Sequence, residues 1–149
     1  MGRPVMSITC AVALAALAAT VSAAEYRSVG DEPAVLYDAP SVRAAPLFVA
    51  SPGYPVEVIV DTQNWLKVRD IAGDLAWIEK RALGERATVL VSQPLAQVRE
   101  APRADARVVF EAQQGVVLER LESTVPGWVR VRHGDGVEGF VAVTQVWGA

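Results

Sequence analysis

Cysteine is almost absent from this sequence: the single copy among 149 residues is Cys10, inside an apolar N-terminal run. Downstream of it there is no thiol to close a disulfide, hold a soft metal or attack a substrate. Histidine is equally scarce, with His133 alone. Metal centres draw on clusters of His, Cys and carboxylates at ligand spacing, and no such cluster is visible. No Gly-rich loop followed by Lys-Ser/Thr offers a phosphate cradle. Ser123, His133 and Asp135 could form a triad by residue type alone, but no Gly-x-Ser-x-Gly elbow accompanies them, and His133 reads as a turn residue. The expectation is a protein without catalytic residues, metal or cofactor. A basic excess is missing too. Fourteen Lys and Arg face seventeen Asp and Glu, for a net charge of −3. Nucleic acid, which demands a basic face, is excluded as the main partner.

Long helical patterns are lacking after residue 24, where eight prolines from Pro33 to Pro126 are spread along the chain and leave little room for helices. The long apolar run lies before that point. Arg3 precedes a mostly Ala- and Leu-rich stretch over residues 5–21, which ends in Ser22-Ala23-Ala24. That is the layout of a secretory signal peptide, with cleavage expected after Ala24 and Ala23 as the alternative. A retained anchor is the competing reading. The run is at the short limit for the roughly 20 apolar residues a bilayer core requires, and its small-residue end favours cleavage. Cys10 follows Thr9 near the start of the run, whereas a lipid-modified cysteine would follow a small residue at its end. Cleavage leaves about 125 of the 149 residues, with no further membrane span. A disulfide-free chain in a compartment that permits disulfides points to the bacterial periplasm.

The remaining sequence is written twice. Sliding the chain by 62 residues lays Ala39-Pro40 on Ala101-Pro102, Phe48 on Phe110, Ala50 on Ala112, Gly53 on Gly115 and Glu57 on Glu119. From Trp65 the offset becomes 63, placing Trp65 on Trp128, Lys67 on Arg130, Arg69 on Arg132, Gly73 on Gly136 and Trp77 on Phe140. A repeat of this kind means two homologous units, expected at residues 25–84 and 85–149 after a signal peptide at 1–24. Each unit of about 60 residues is within the size at which a domain folds alone.

Within each unit the strand signals dominate. Residues 56–60 and 116–121 are β-branched and apolar, and residues 65–69 and 128–132 alternate. Alternation sends Leu66 and Val68 to one face and Trp65, Lys67 and Arg69 to the other. Gly73 and Gly136 supply turn chemistry between these strands and the returning ones, and a short helical turn closes each unit. Several short strands in so few residues predict an all-β chain of two tandem small barrels, since closing a sheet removes exposed edges.

The order Ala-Pro, apolar-Phe, Gly, β-branched strand, Trp-apolar-basic-Val-Arg, Gly, aromatic-Ile/Val and closing turn resembles the bacterial Src homology 3 family, the SH3-like barrels known as SH3b. The resemblance covers both units, and Val146-Trp147-Gly148 resembles the ending of one proteobacterial branch. It implies an envelope protein that binds cell-wall peptide (peptidoglycan) or an envelope protein segment. The hydrolase to which such domains are often fused is not present here. Asn64 stands where the family often has Gly, and neither Val35-Leu36-Tyr37 nor Val98-Arg99 reproduces its Asn-Val-Arg start.

The candidate ligand contacts are Trp65, Lys67, Arg69 and Tyr37 in the first unit and Trp128, Arg130 and Arg132 in the second. Trp beside Arg can stack a peptide or sugar face and meet a carboxylate. The competing reading has Trp65 and Trp128 capping the barrel cores, with the chain a structural or assembly protein that takes no small ligand. Trp77 and Phe140 interchange as packing positions do, and Tyr37 is matched by Arg99. If both units bind, two linked weak sites gain avidity when geometry permits.

Overall fold

The computed structural model describes Gly2 and residues 23–149. The expected signal peptide, but for Gly2, Ala23 and Ala24, lies outside the described residues. The first unit runs β1 (Tyr26–Val29), β2 (Ala34–Tyr37), β3 (Pro46–Ala50), β4 (Pro55–Asp61), β5 (Trp65–Arg69), β6 (Leu75–Glu79), a 3-10 turn (Lys80–Ala82) and β7 (Leu83–Gly84). The second runs β8 (Thr88–Val91), β9 (Leu95–Arg99), β10 (Val108–Gln113), β11 (Val117–Leu121), β12 (Trp128–Arg132), β13 (Glu138–Ala142), a 3-10 turn (Val143–Gln145) and β14 (Val146–Trp147). Two antiparallel seven-stranded sheets result, ordered β3-β2-β6-β5-β4-β1-β7 and β10-β9-β13-β12-β11-β8-β14. The second order repeats the first strand for strand, as the sequence repeat requires. Among the described residues no helix is long and apolar enough to cross a membrane.

Each sheet wraps its own apolar core, and the cores match position by position. Val29, Ala34, Leu36, Ala50, Val56, Leu66, Val68 and Ile78 are buried in the first. Their counterparts Val91, Ala96, Val98, Ala112, Leu118, Val129, Val131 and Val141 are buried in the second. The inward face of β5 is as alternation demands, with Leu66 and Val68 almost fully enclosed. Leu36, Leu66 and Ile78 of the first core are Val98, Val129 and Val141 in the second, while Val56 is Leu118, so the two barrels share a pattern and differ in volume. The change of offset falls between the fourth and fifth strands of each unit, in the loops 62–64 and 122–127, where an extra residue disturbs no core position.

The hairpins carrying the Trp-rich strands are built alike. Asp70 N–H donates to the Asp74 carbonyl at 3.0 Å and Gly73 N–H to the Asp70 carbonyl at 3.0 Å. His133 N–H donates to Val137 and Gly136 N–H to His133, both at 2.9 Å. Gly73 and Gly136 close these turns at φ 94° and 89°, a left-handed backbone that a side chain would strain. This turn fixes the register, Trp65 opposite Glu79, Lys67 opposite Trp77 and Arg69 opposite Leu75. The second hairpin sets Trp128 opposite Ala142, Arg130 opposite Phe140 and Arg132 opposite Glu138.

The barrels are docked on each other. Ser28 Oγ and Thr88 Oγ1 lie 2.8 Å apart with both residues buried. Thr88 also donates its N–H to Ser28 Oγ at 3.2 Å and its hydroxyl to the Gly53 carbonyl at 2.6 Å. With that proton committed to Gly53, the hydroxyl of Ser28 donates to Thr88. Every polar atom in this buried chain therefore has a partner, the condition under which burying it is tolerated. Tyr26 and Trp147 meet edge to face with centroids 5.1 Å apart, and Arg86 pairs with Asp31 across the junction.

Candidate functional site

The outer face of the first barrel gathers the rings. β6 lies between β2 and β5 in the sheet, so Tyr37, Trp77 and Lys67 form one row across three strands. Trp65, two residues along β5 from Lys67, meets Tyr37 edge to face with centroids 5.7 Å apart at 81°. All four side chains are half-buried. Neither Trp is part of the core: the large rings packed against the first core are Phe48 and Tyr54, and Phe110 packs against the second. Burial lifts the Tyr54 phenol above its ordinary range, which fits that inward place. Sequence periodicity sends Trp65 and Trp77 to the outer face. It does not reveal that Tyr37 lies within ring contact of Trp65, because that depends on which strand pairs with β6.

The basic residues of this face differ in their partners. Arg69 Nη1 donates to Glu57 Oε2 on β4 at 3.2 Å. Glu79 pairs with Arg81, beside Trp65. Lys67 has no carboxylate within ion-pair distance among the described residues. An uncompensated ammonium flanked by Trp65 and Trp77 suits a ligand that brings a planar or apolar body and negative charge.

The second barrel presents the matching positions in another electrostatic state. Arg130 Nη2 donates to Glu138 Oε2 at 2.6 Å, while Arg132 Nε and Nη2 donate to Glu138 Oε1 at 2.9 and 2.7 Å. Arg132 also reaches Glu119 at 3.4 Å, the counterpart of the Arg69–Glu57 pair. Arg99, in the place of Tyr37, donates to the Ala106 carbonyl and to Gln97, both at 2.6 Å. Trp128 stands without a ring partner among the described residues. The two faces are thus alike in backbone and differ in how their basic side chains are paired.

Glu138 is held below the usual glutamate range, first by the hydrogen bond from Arg132 and then by that from Arg130. A carboxylate whose folded pKa is depressed contributes stability that is fully present above its unfolded pKa, about 4.3. That contribution is lost as pH falls through the depressed folded value. Glu138→Gln is therefore expected to lower stability slightly at neutral pH, as surface pairs do. It should also reduce the loss of stability between roughly pH 5 and pH 3. Urea unfolding of both proteins across that range measures the difference.

The residues that could have formed a triad lie apart. Ser123 donates to the Trp128 carbonyl before β12 begins, at 3.4 Å. His133 follows the far end of that strand, 3.0 Å from Asp135 and with its ring 5.6 Å from that of Phe110. Hydrogen bonds from Val137 N–H and His133 hold the Asp135 carboxyl below its ordinary range, so this acid closes its own turn. Among the described residues no group of His, Cys or carboxylates is placed to hold a metal. A cleft of about 690 Å³ lies at the junction of the barrels, rimmed by Asp31, Glu32, Arg81, Arg86, Arg132 and His133. Within it Arg86 pairs with Asp31 and Arg132 with Glu119, while Arg81 pairs with Glu79.

Comparison with known protein families agrees with this architecture. The family model described as the bacterial SH3 domain matches residues 30–85 and again residues 92–148. No curated protein matches the sequence. Among solved structures, the chain is similar to NlpC2 from Trichomonas vaginalis, at 15% identity and TM-score 0.38 over 84% of this chain and 48% of that one. It is likewise similar to NlpC1 from the same organism, at 16% identity and TM-score 0.39 over 90% of this chain and 50% of that one. The chain spans about half the length of these two proteins. Each segment matched by the family model falls on one of the two sheets, and together they cover most of the sequence: the chain belongs to the bacterial SH3 domain family and carries the domain twice.

Proposed function

We propose that this protein is a non-enzymatic binding module of the bacterial envelope, working in the periplasm. Its first barrel recognises an extended segment of cell-wall peptide or of an envelope protein. The observation that carries this reading is the Tyr37–Trp65 ring pair outside the core, beside a Lys67 that no neighbouring carboxylate neutralises. Family membership supports it, since bacterial SH3 domains are typically binding domains of extracytoplasmic proteins. Two half-buried Trp and one Tyr give large rigid contact area at low entropic cost, as binding surfaces do.

A structural role for the second barrel follows from the same comparison. Its arginines are satisfied within the domain, and Trp147 is consumed in the contact with Tyr26. We assign it to holding the first barrel in place, and avidity between two equal sites is then not part of the function.

Co-sedimentation with purified sacculi, beside capture of partners from envelope extract, tests the proposal. Wild type is expected in the pellet or in complex, with Trp65→Ala lowering the retained fraction about tenfold, within the range of an interface hot spot. Undiminished capture by Trp65→Ala would contradict it.

A further inference from the structure

The repeat supplies an internal control for what the first barrel lacks. In the second barrel one carboxylate, Glu138, bridges the two basic side chains of the fifth strand, Arg130 and Arg132. In the first barrel both basic positions remain, as Lys67 and Arg69, on the same outer face. The position across from Arg69 is Leu75, where the second barrel has Glu138 across from Arg132. Leu75 is 45% exposed, so a side chain in this place is open to solvent rather than needed by the core. The scaffold therefore builds a seat for a carboxylate twice and fills it once.

We infer that the first barrel binds its ligand through a carboxylate, which takes up between Lys67 and Arg69 the place that Glu138 occupies in the second barrel, with Trp65 and Trp77 beside it. This rests on the proposed binding role of that face and adds the chemistry of the ligand. The occupant is a peptide bearing either a free C-terminal carboxylate or an acidic side chain.

Charge complementarity supports the occupant. Arg69 is already paired with Glu57, just as Arg132 is paired with Glu119, and Arg132 nevertheless donates to Glu138 as well. One partner on β4 or β11 thus leaves capacity for a second carboxylate, because a guanidinium carries five N–H donors. Lys67, matching Arg130, has no other carboxylate partner among the described residues. A ligand carboxylate there gains two charge-assisted hydrogen bonds and leaves no charge newly buried. The same seat in the second barrel admits no ligand, since an intramolecular carboxylate at fixed distance outcompetes one from solution.

The test uses three capped peptides followed by chemical-shift changes in the full chain. N-acetyl-trialanine with a free C-terminus offers only an α-carboxylate. Amide-capped Ala-Glu-Ala offers only a side-chain carboxylate, and amide-capped Ala-Gln-Ala offers neither. At least one acidic peptide is expected to shift the Lys67, Arg69 and Leu75 amides and to bind about tenfold tighter than the neutral peptide; which one does so identifies the source of the carboxylate. Leu75→Glu, which installs the second barrel's residue at a solvent-exposed strand position, is expected to abolish those shifts, and Leu75→Gln to keep them. Glu138→Leu is expected to open a second site, with new shifts at Arg130 and Arg132 and two bound peptides per chain. Equal binding of all three peptides, or binding indifferent to Leu75→Glu, would overturn the inference. Sacculus capture that needs Trp65 but ignores Leu75→Glu would leave the binding role standing and remove the carboxylate. Carboxylate binding without sacculus or partner capture would do the reverse.

Discussion

Ile78→Ala is expected to destabilise the protein by about 2–5 kcal/mol, and Trp65→Ala by about 1–2 kcal/mol. Ile78 is fully enclosed in the first core, among residues on β2, β4 and β5. Its truncation loses the transfer energy of three carbons and leaves a cavity that a small, tightly packed core cannot fully collapse around. Trp65 is much larger, yet it is half-buried on the outer face, outside that core. Its removal exposes part of Tyr37 and forfeits one edge-to-face contact, but opens no void. The ordering is thus the reverse of what side-chain size alone dictates. Urea unfolding with unchanged slope measures both values. A loss for Trp65→Ala equal to that for Ile78→Ala would make the ring a core residue and the outer face mere scaffold.

Thr88→Val is expected to cost about 1–3 kcal/mol, although it changes shape very little. It removes the hydroxyl that binds the Gly53 carbonyl and accepts from Ser28, leaving polar partners stranded at the buried junction. Ser28→Ala removes the other half of the chain of hydrogen bonds. Because the two hydroxyls serve each other, the double variant should cost less than the two single variants together, by more than the roughly 0.3–0.5 kcal/mol within which independent sites add. Strict additivity in the double-mutant cycle would show that the barrels are not held by this pair.

Much of the fold is legible in the sequence, for an identifiable reason. The repeat, with its alternating Trp-apolar-basic-Val-Arg strands and its Gly73 and Gly136 turns, encodes local structure, the hairpins above all, but not the long-range pairings of β2 with β6 and of β1 with β4. The inward course of Leu66, Val68, Val129 and Val131 needs only the period of a strand. Membership of the bacterial SH3 family is carried by the same residues. The junction is not legible. Ser28 and Thr88 look like ordinary strand residues, and nothing in their neighbourhood says that they face each other across 60 positions. The candidate site stands between these cases. Alternation puts Trp65, Lys67 and Arg69 on one side, but the neutralisation of Arg130 and Arg132 depends on the register of a hairpin. That register can be counted outward from Gly136, which sets Glu138 opposite Arg132. Trp77 is underrated for a similar reason. Its exchange for Phe140 looks like packing, whereas its place in the sheet is between Tyr37 and Lys67.

The most direct test of the account is a map of contacts on the chain of residues 25–149. Soluble peptide fragments released from sacculi by lytic digestion would be titrated into isotopically labelled protein, with backbone amides and Trp indole N–H groups followed by NMR. The account predicts shifts concentrated at Tyr37, Trp65, Lys67, Arg69 and Trp77, with Trp128, Arg130 and Arg132 unmoved. Shifts centred on the second barrel or on the cleft between the barrels, or none in the first barrel at saturating fragment, would contradict it.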